Sequence, residues 1–156
     1  MSYPAQAFTV MDAADVPHGQ FFRFEENWYF SVLFTNGPTE SIGAIQLTGQ
    51  DAGICWTTPS GRSLAIAFPY TVTLRFDEPP TKPGVMTPAA IYIGDETFFR
   101  THNRINTQFT FGIDGRMIKE DIAAYHGFQA QKWEGWLHDG QKPIAPLFKV
   151  GEDQQV

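Results

Sequence analysis

The residues best suited to chemistry in this chain form one short polar run. The run lies between two apolar segments and consists of Arg100, Thr101, His102, Asn103 and Arg104. Two guanidinium groups beside an imidazole can hold a carboxylate and stabilise its charge, so the run is a candidate anion-binding or general-base site. A solvated turn is the alternative interpretation, because polar turns between strands are common.

A second candidate lies near the C-terminal end, where two tryptophans are three residues apart. Trp133 and Trp136 offer a flat apolar surface for stacking on a sugar or an aromatic ligand, although core packing is the favoured use of so much apolar area. The predicted ligand-binding set consists of Arg100, the two tryptophans and six further side chains. These six are Tyr29, Tyr70, Arg75, Tyr92, His102 and Arg104.

The sequence encodes no catalytic motif or metal site locally. The four histidines include no pair at one-residue or four-residue spacing; they are His18, His102, His126 and His138. Cys55 is the single cysteine, which excludes an internal disulfide, and we predict that it is buried and not nucleophilic. We therefore expect no metal and no cofactor, and we assign no catalytic residue.

The charge balance limits the class of partner. The chain has a net charge of −6 and no cluster of lysine and arginine, so it lacks the basic surface that nucleic acid binding requires. Its apolar runs are too short to span a membrane, and the segment from Met1 to Met11 does not have the pattern of a signal peptide. We expect a cytoplasmic protein with no membrane span and no nucleic acid partner.

The elements that must position these residues are β-strands. Between Ile105 and Ile113 apolar and polar residues alternate, which is the period of a strand and not of a helix. Similar runs separated by turn residues predict the remaining strands: Ala7 to Met11, Gln20 to Phe24, Trp28 to Thr35, Ile42 to Thr48, Ile54 to Thr58, Leu64 to Phe68, Thr71 to Phe76, Ala90 to Ile93, Thr97 to Arg100, Lys132 to Leu137 and Pro146 to Val150.

Two segments interrupt the strand pattern. The proline-rich segment from Asp77 to Pro88 is predicted to be a stiff extended connection. After the strand that ends at Ile113, Asp114 either starts a hairpin turn or caps a helix. We favour a short helix between Met117 and His126, because its surface residues suit a helix better than a strand.

Together these elements predict one domain over residues 1–150, with a flexible tail at 151–156. Roughly nine to eleven strands joined by short turns indicate an all-β, mainly antiparallel fold with one short C-terminal helix. We favour a calycin-like barrel, with a two-layer sandwich second, because several strands carry bulky apolar residues on one face and intermediate ones on the other.

One stretch adds a family resemblance that supports the barrel. The run Ile54, Cys55, Trp56, Thr57, Thr58, Pro59, Ser60, Gly61 resembles a hairpin of small lipocalin-like barrel enzymes such as the phenolic acid decarboxylases, and Phe22 to Trp28 is similar to their first turn. The resemblance implies a barrel. It does not extend to the activity, because Phe22 and Phe24 stand where that family's turn carries tyrosines.

The predicted function is binding of a small apolar or aromatic molecule inside the barrel, where Phe30, Phe34, Phe109 and Phe111 face one another. Isomerisation, cyclisation or decarboxylation is the chemistry that such a cavity would support. A carbohydrate-binding sandwich and a structural or assembly subunit are the alternatives. Strands with aromatics on both faces, such as Trp28 beside Tyr29, also predict a homodimer that covers the second face.

Overall fold

The computed structural model describes residues 3–76, 89–93, 96–105, 107–118 and 128–151. Within them the chain forms fourteen strands and two single-turn 3-10 helices, Ala5–Ala7 and Ala13–Asp15. The strands are β1 Phe8–Asp12, β2 Phe21–Phe24, β3 Asn27–Asn36, β4 Thr39–Gln46, β5 Cys55–Thr57, β6 Arg62–Ile66, β7 Tyr70–Phe76, β8 Ala89–Ile93, β9 Glu96–His102, β10 Gln108–Gly112, β11 Met117–Ile118, β12 Phe128–Ala130, β13 Trp133–Asp139 and β14 Lys142–Val150.

These strands form three sheets, and every pairing between two strands is antiparallel. The six-stranded sheet has the order β1-β6-β2-β3-β4-β5, the five-stranded sheet β11-β10-β9-β8-β12, and the three-stranded sheet β14-β13-β7. The all-β, mainly antiparallel prediction is confirmed. The calycin-like barrel is not confirmed, because no sheet closes on itself within the part of the chain that the structure describes.

The main core is a cluster of aromatic rings from all three sheets. The rings of Phe30 and Phe99 lie 4.5 Å apart, and those of Phe99 and Trp133 lie 5.6 Å apart. Strand alternation explains their position, because it directs every second residue of β3 to the inner face. We call the following buried residues the aromatic cluster: Phe21, Trp28, Phe30, Phe99, Trp133 and Phe148.

A smaller core covers the outer face of the six-stranded sheet. The rings of Phe22 and Tyr29 stack at 5.4 Å with an interplanar angle of 12°, and Ala13 and Val16 pack over them. Both faces of β2 and β3 are therefore buried within one chain. Aromatic residues on both faces of these strands led to the homodimer prediction, but Phe21 and Tyr29 are buried without a second copy of the chain. The homodimer stays a prediction.

The segment after Ile113 differs from the predicted helix. Asp114 and Gly115 form a hairpin turn, and β11 pairs with β10 through Thr110–Ile118 and Phe111–Met117. The predicted start of the helix at Met117 is therefore wrong. Pairing with β10 satisfies backbone groups that a helix would have satisfied locally. The rest of that helix, the proline-rich segment at 77–88 and tail residues 152–156 lie outside the described residues.

The long strand predicted from Ile105 begins only at Gln108. The side chain of Asn103 accepts hydrogen bonds from the backbone amides of Ile105 at 3.0 Å and Thr107 at 2.9 Å. Such side-chain to backbone bonds favour a turn over a ladder. Ile105 is consequently exposed in a loop and does not belong to the apolar face of β10.

A close backbone contact fixes the turn between β10 and β11 against the six-stranded sheet. Gly115 has φ +84°, and a Cβ on it would lie 2.3 Å from the Gly19 nitrogen and 2.8 Å from the Ser31 oxygen. The Leu33 amide donates to the Gly115 carbonyl at 2.9 Å, and the Gly19 amide donates to the Ser31 carbonyl at 2.8 Å. Glycine is thus required both for its conformation and for its missing side chain.

We expect Gly115→Ala to lower the free energy of unfolding by roughly 3 kcal/mol or more, because the added methyl group would meet backbone atoms that cannot rotate away. Urea unfolding followed by tryptophan fluorescence measures this loss. Gly140→Ala is the matched control, since Gly140 has φ +63° but no atom within 4 Å of the position that an added methyl group would take. The free energy of unfolding of Gly140→Ala should fall only by the cost of holding alanine at a positive φ, about 1 kcal/mol. Equal losses in the two variants would contradict a tight contact at Gly115.

Candidate functional site

The polar run ends β9 and extends into the following loop. The Arg100 Nη2 donates to the Gln108 side-chain oxygen, and the Arg104 Nη2 lies 3.8 Å from the Asp51 carboxylate. The His102 ring is half-buried, and its Nδ1 has no hydrogen-bond partner among the described residues. The two guanidinium groups are thus engaged by different side chains. An anion site that uses both would have to compete with these contacts.

The two tryptophans lie on opposite faces of β13. Trp133 is fully buried in the aromatic cluster, whereas Trp136 is half-buried on the outer face. The Arg75 guanidinium lies 3.6 Å from the centroid of the Trp136 ring, and the indole N–H donates to the Glu134 carboxylate at 2.7 Å. The pair cannot form one stacking platform. Strand alternation explains this result, because an odd spacing places two residues on opposite faces.

The three tyrosines of the predicted set are separated. Tyr29 is buried in the smaller core, where its hydroxyl donates to the Gln46 side-chain oxygen at 3.3 Å. Burial, reinforced by the negative charges of Glu25 and Asp51, raises the pKa of the Tyr29 phenol, so it stays neutral. Tyr70 is half-buried at the start of β7, and Tyr92 pairs through its backbone in β8.

Cys55 is buried at the start of β5, as the sequence predicts. Loss of water around the thiol raises its pKa to about 11, although a hydrogen bond with Thr101 acts in the opposite direction. A thiol with that pKa is almost entirely protonated near neutral pH. It is therefore a structural side chain and a poor nucleophile.

The interior position expected for a ligand is occupied by aromatic rings. The ring of Phe34 contacts those of Phe109 at 5.4 Å and Phe111 at 5.2 Å, both edge to face. Phe30 and Phe111 are completely buried. These facing phenylalanines occupy the position between β3 and β10 that a ligand was expected to take, so the candidate sites are the grooves described next.

One groove of about 470 Å³ opens where the aromatic cluster meets the surface. Trp28 and Phe148 lie side by side in it, with ring centroids 5.2 Å apart. Tyr3 and Phe8 form a second aromatic pair at 5.9 Å, edge to face. We call this the aromatic groove, and its lining residues are Tyr3, Phe8, Arg23, Glu26, Trp28, Thr48, Leu64, Leu147, Phe148 and Lys149.

The charged groups of the aromatic groove differ in how they are engaged. The Lys149 Nζ lies 3.8 Å from the Glu134 carboxylate, and Glu26 is exposed at the hairpin turn between β2 and β3. Arg23 lies opposite Trp28 on β3 and opposite Leu64 on β6. Sequence reasoning missed this arginine, but a signal was present. Alternation places Arg23 on the same face of β2 as the core residue Phe21.

A second groove of about 680 Å³ runs along β7 and is bordered by β9, β10 and β11. Its apolar lining includes Leu74, Phe76 and Phe98. A neighbouring depression of about 630 Å³ shares Val72 and Ile113 with it and contains Phe68 and Tyr70. We call these two adjoining depressions together the β7 groove. Phe68 is 97% exposed beside it, which is unusual for so large an apolar side chain.

Comparison with known proteins gives no family for the chain. No protein-family model matches it, no curated protein matches it, and no solved structure matches it. Among the described residues, no helix is long and apolar enough to cross a membrane. The case for a function therefore rests on the geometry of the two grooves.

Proposed function

We propose that the protein binds a small aromatic or apolar molecule in the aromatic groove. The observation that carries the proposal is the convergence of two aromatic pairs, Tyr3 with Phe8 and Trp28 with Phe148, around about 470 Å³ of space. Small-molecule sites are concave, mainly apolar and aromatic, and contain a few polar groups. The aromatic groove has each of these properties.

Ring contacts supply the binding energy in this proposal. Aromatic pairs contribute about 1 kcal/mol beyond the area that they bury, and small ligands gain roughly 0.3 to 0.5 kcal/mol per heavy atom. A ligand of about twelve heavy atoms would thus bind with a dissociation constant between roughly 0.05 and 2 mM. The affinity is modest because the aromatic groove is open to water on one side.

Binding, and not catalysis, is the function that this groove supports. Its acidic residue, Glu26, is exposed, whereas a general acid or base usually needs a partly desolvated position. The calycin-like barrel stays a proposal about the fold. In it, the three sheets would surround the aromatic cluster. A cytoplasmic location is proposed on the ground that Cys55, the single cysteine, has no disulfide partner.

A homodimer is a second proposal, and the β7 groove supports it. Phe68 is 97% exposed and Ile113 is 50% exposed at the two sides of the same depression. In a two-fold dimer the Phe68 ring of each copy would enter the β7 groove of the other, because such an interface uses the same surface twice. This would bury an apolar surface that is costly to leave in water.

We expect saturable binding of the neutral probe 2-naphthalenemethanol, measured by ligand-observed NMR. Leu64→Trp should weaken it at least tenfold, because the larger side chain fills part of the aromatic groove. Ile42→Trp is the control, since Ile42 is 47% exposed on the same sheet and does not line the groove. Linear uptake without saturation, or equal affinity in both variants, would refute binding at this position.

For the homodimer, light scattering should give twice the chain mass of 17.5 kDa at micromolar concentration. Phe68→Asp should shift the protein to the monomer, because a carboxylate cannot enter an apolar groove without losing its hydration. Ile105→Asp should leave the dimer intact, although Ile105 is 81% exposed, because it lies away from the β7 groove. A monomeric unmodified chain would end this proposal.

A further inference from the structure

The hydrogen-bonding groups of the aromatic groove are mostly satisfied within the chain. The Thr48 hydroxyl donates to the Asn27 side chain at 3.2 Å and accepts from the Trp28 amide at 3.0 Å. The Tyr3 hydroxyl donates to the Pro146 carbonyl, and Lys149 is paired with Glu134. These groups are engaged before any ligand arrives.

Arg23 and Glu26 are the exceptions. Arg23 has no ion pair and no side-chain hydrogen bond with any described residue, whereas Arg62 on the adjacent strand lies 3.9 Å from Asp12. The backbone position of Arg23, between Trp28 and Leu64 in neighbouring strands, directs its side chain to the face that carries the aromatic rings. The unpaired polar group on the strand that crosses the groove is thus a donor with a positive charge, and the other unpaired group, Glu26, lies in the turn.

A guanidinium has five N–H donors and no acceptor. Its best partner is a planar anion that receives two parallel hydrogen bonds, as a carboxylate does. The rings below it require an aromatic or flat apolar group in the same ligand. From these two requirements, and resting on the proposed function, we infer that the aromatic groove selects an aromatic acid and that Arg23 is the residue that determines this specificity.

An aromatic amine is the competing ligand, because Glu26 could pair with its positive charge. Glu26 also lines the groove and is exposed, but it lies in the turn beyond the end of β2. Arg23 lies within the strand, between the apolar residues that line the groove. We therefore expect the charged group of a ligand held against the rings to lie at Arg23.

Three probes that share a naphthalene ring separate these cases: 2-naphthoate, 2-naphthalenemethanol and 2-naphthylmethylamine. At low salt we expect the acid to bind roughly five- to tenfold more tightly than the alcohol, which is the range of a solvent-accessible charge-assisted pair. The amine should bind more weakly than the alcohol. The advantage of the acid should shrink as salt is added, because ions screen an exposed charge.

Arg23→Gln tests the role of the arginine directly. This variant should reduce the affinity for 2-naphthoate to that for the alcohol and leave the alcohol unchanged, since glutamine keeps a polar stem but has no charge. Arg62→Gln is the matched control, because it removes the same charge from the next strand at a residue that does not line the aromatic groove. It should preserve the preference for the acid.

The outcomes distinguish this inference from the proposed function. Equal affinity for all three probes, or preference for the amine, would overturn the selection of an acid and leave ligand binding in place. Equal weakening of all three probes by Arg23→Gln would show that the stem packs against the ligand and that the charge does not select it. Failure of every probe to saturate would end both proposals.

Discussion

Packing of the aromatic cluster is the interaction on which the rest of the structure depends. Within the part of the chain that the structure describes, none of the three sheets closes on itself, so contacts between their faces hold them together and not a continuous ladder of hydrogen bonds. Phe148 is central, because its ring lies against Phe21, Trp28 and Trp133 and also covers Gly135 on the neighbouring strand. A Cβ at Gly135 would lie 2.3 Å from that ring, so the glycine makes room for the phenylalanine.

This packing also decides where a ligand can bind. Aromatic side chains fill the interior around Phe30 and Phe99, and the aromatic groove opens where this cluster reaches the surface. Trp28 and Phe148 belong both to the cluster and to the aromatic groove. Changes in these two residues would affect folding and binding together, whereas Arg23 and Leu64 belong to the rim of the groove and allow the two effects to be separated.

Strand edges and outer faces are protected by local features of the chain. The segment around Ala13 and Val16 covers the outer face of β2 and β3, which explains how strands with aromatics on both faces exist in a single copy. Along the β14 edge, Pro143 and Pro146 lack the amide that an added strand would use. The β7 groove has no comparable cover among the described residues, which is why it carries the homodimer proposal.

The sequence by itself determined most strands, because the alternation of apolar and polar residues is a local property with a period of two. β2, β3 and β7 follow the pattern within one residue at each end. Tertiary structure decided that Met117 joins a strand, that the described strands form three separate sheets, and that Arg23 lies beside aromatic rings. The aromatic groove combines side chains from β1, β2, β3, β6 and β14, and contacts between strands so distant in the chain arise only when the chain folds.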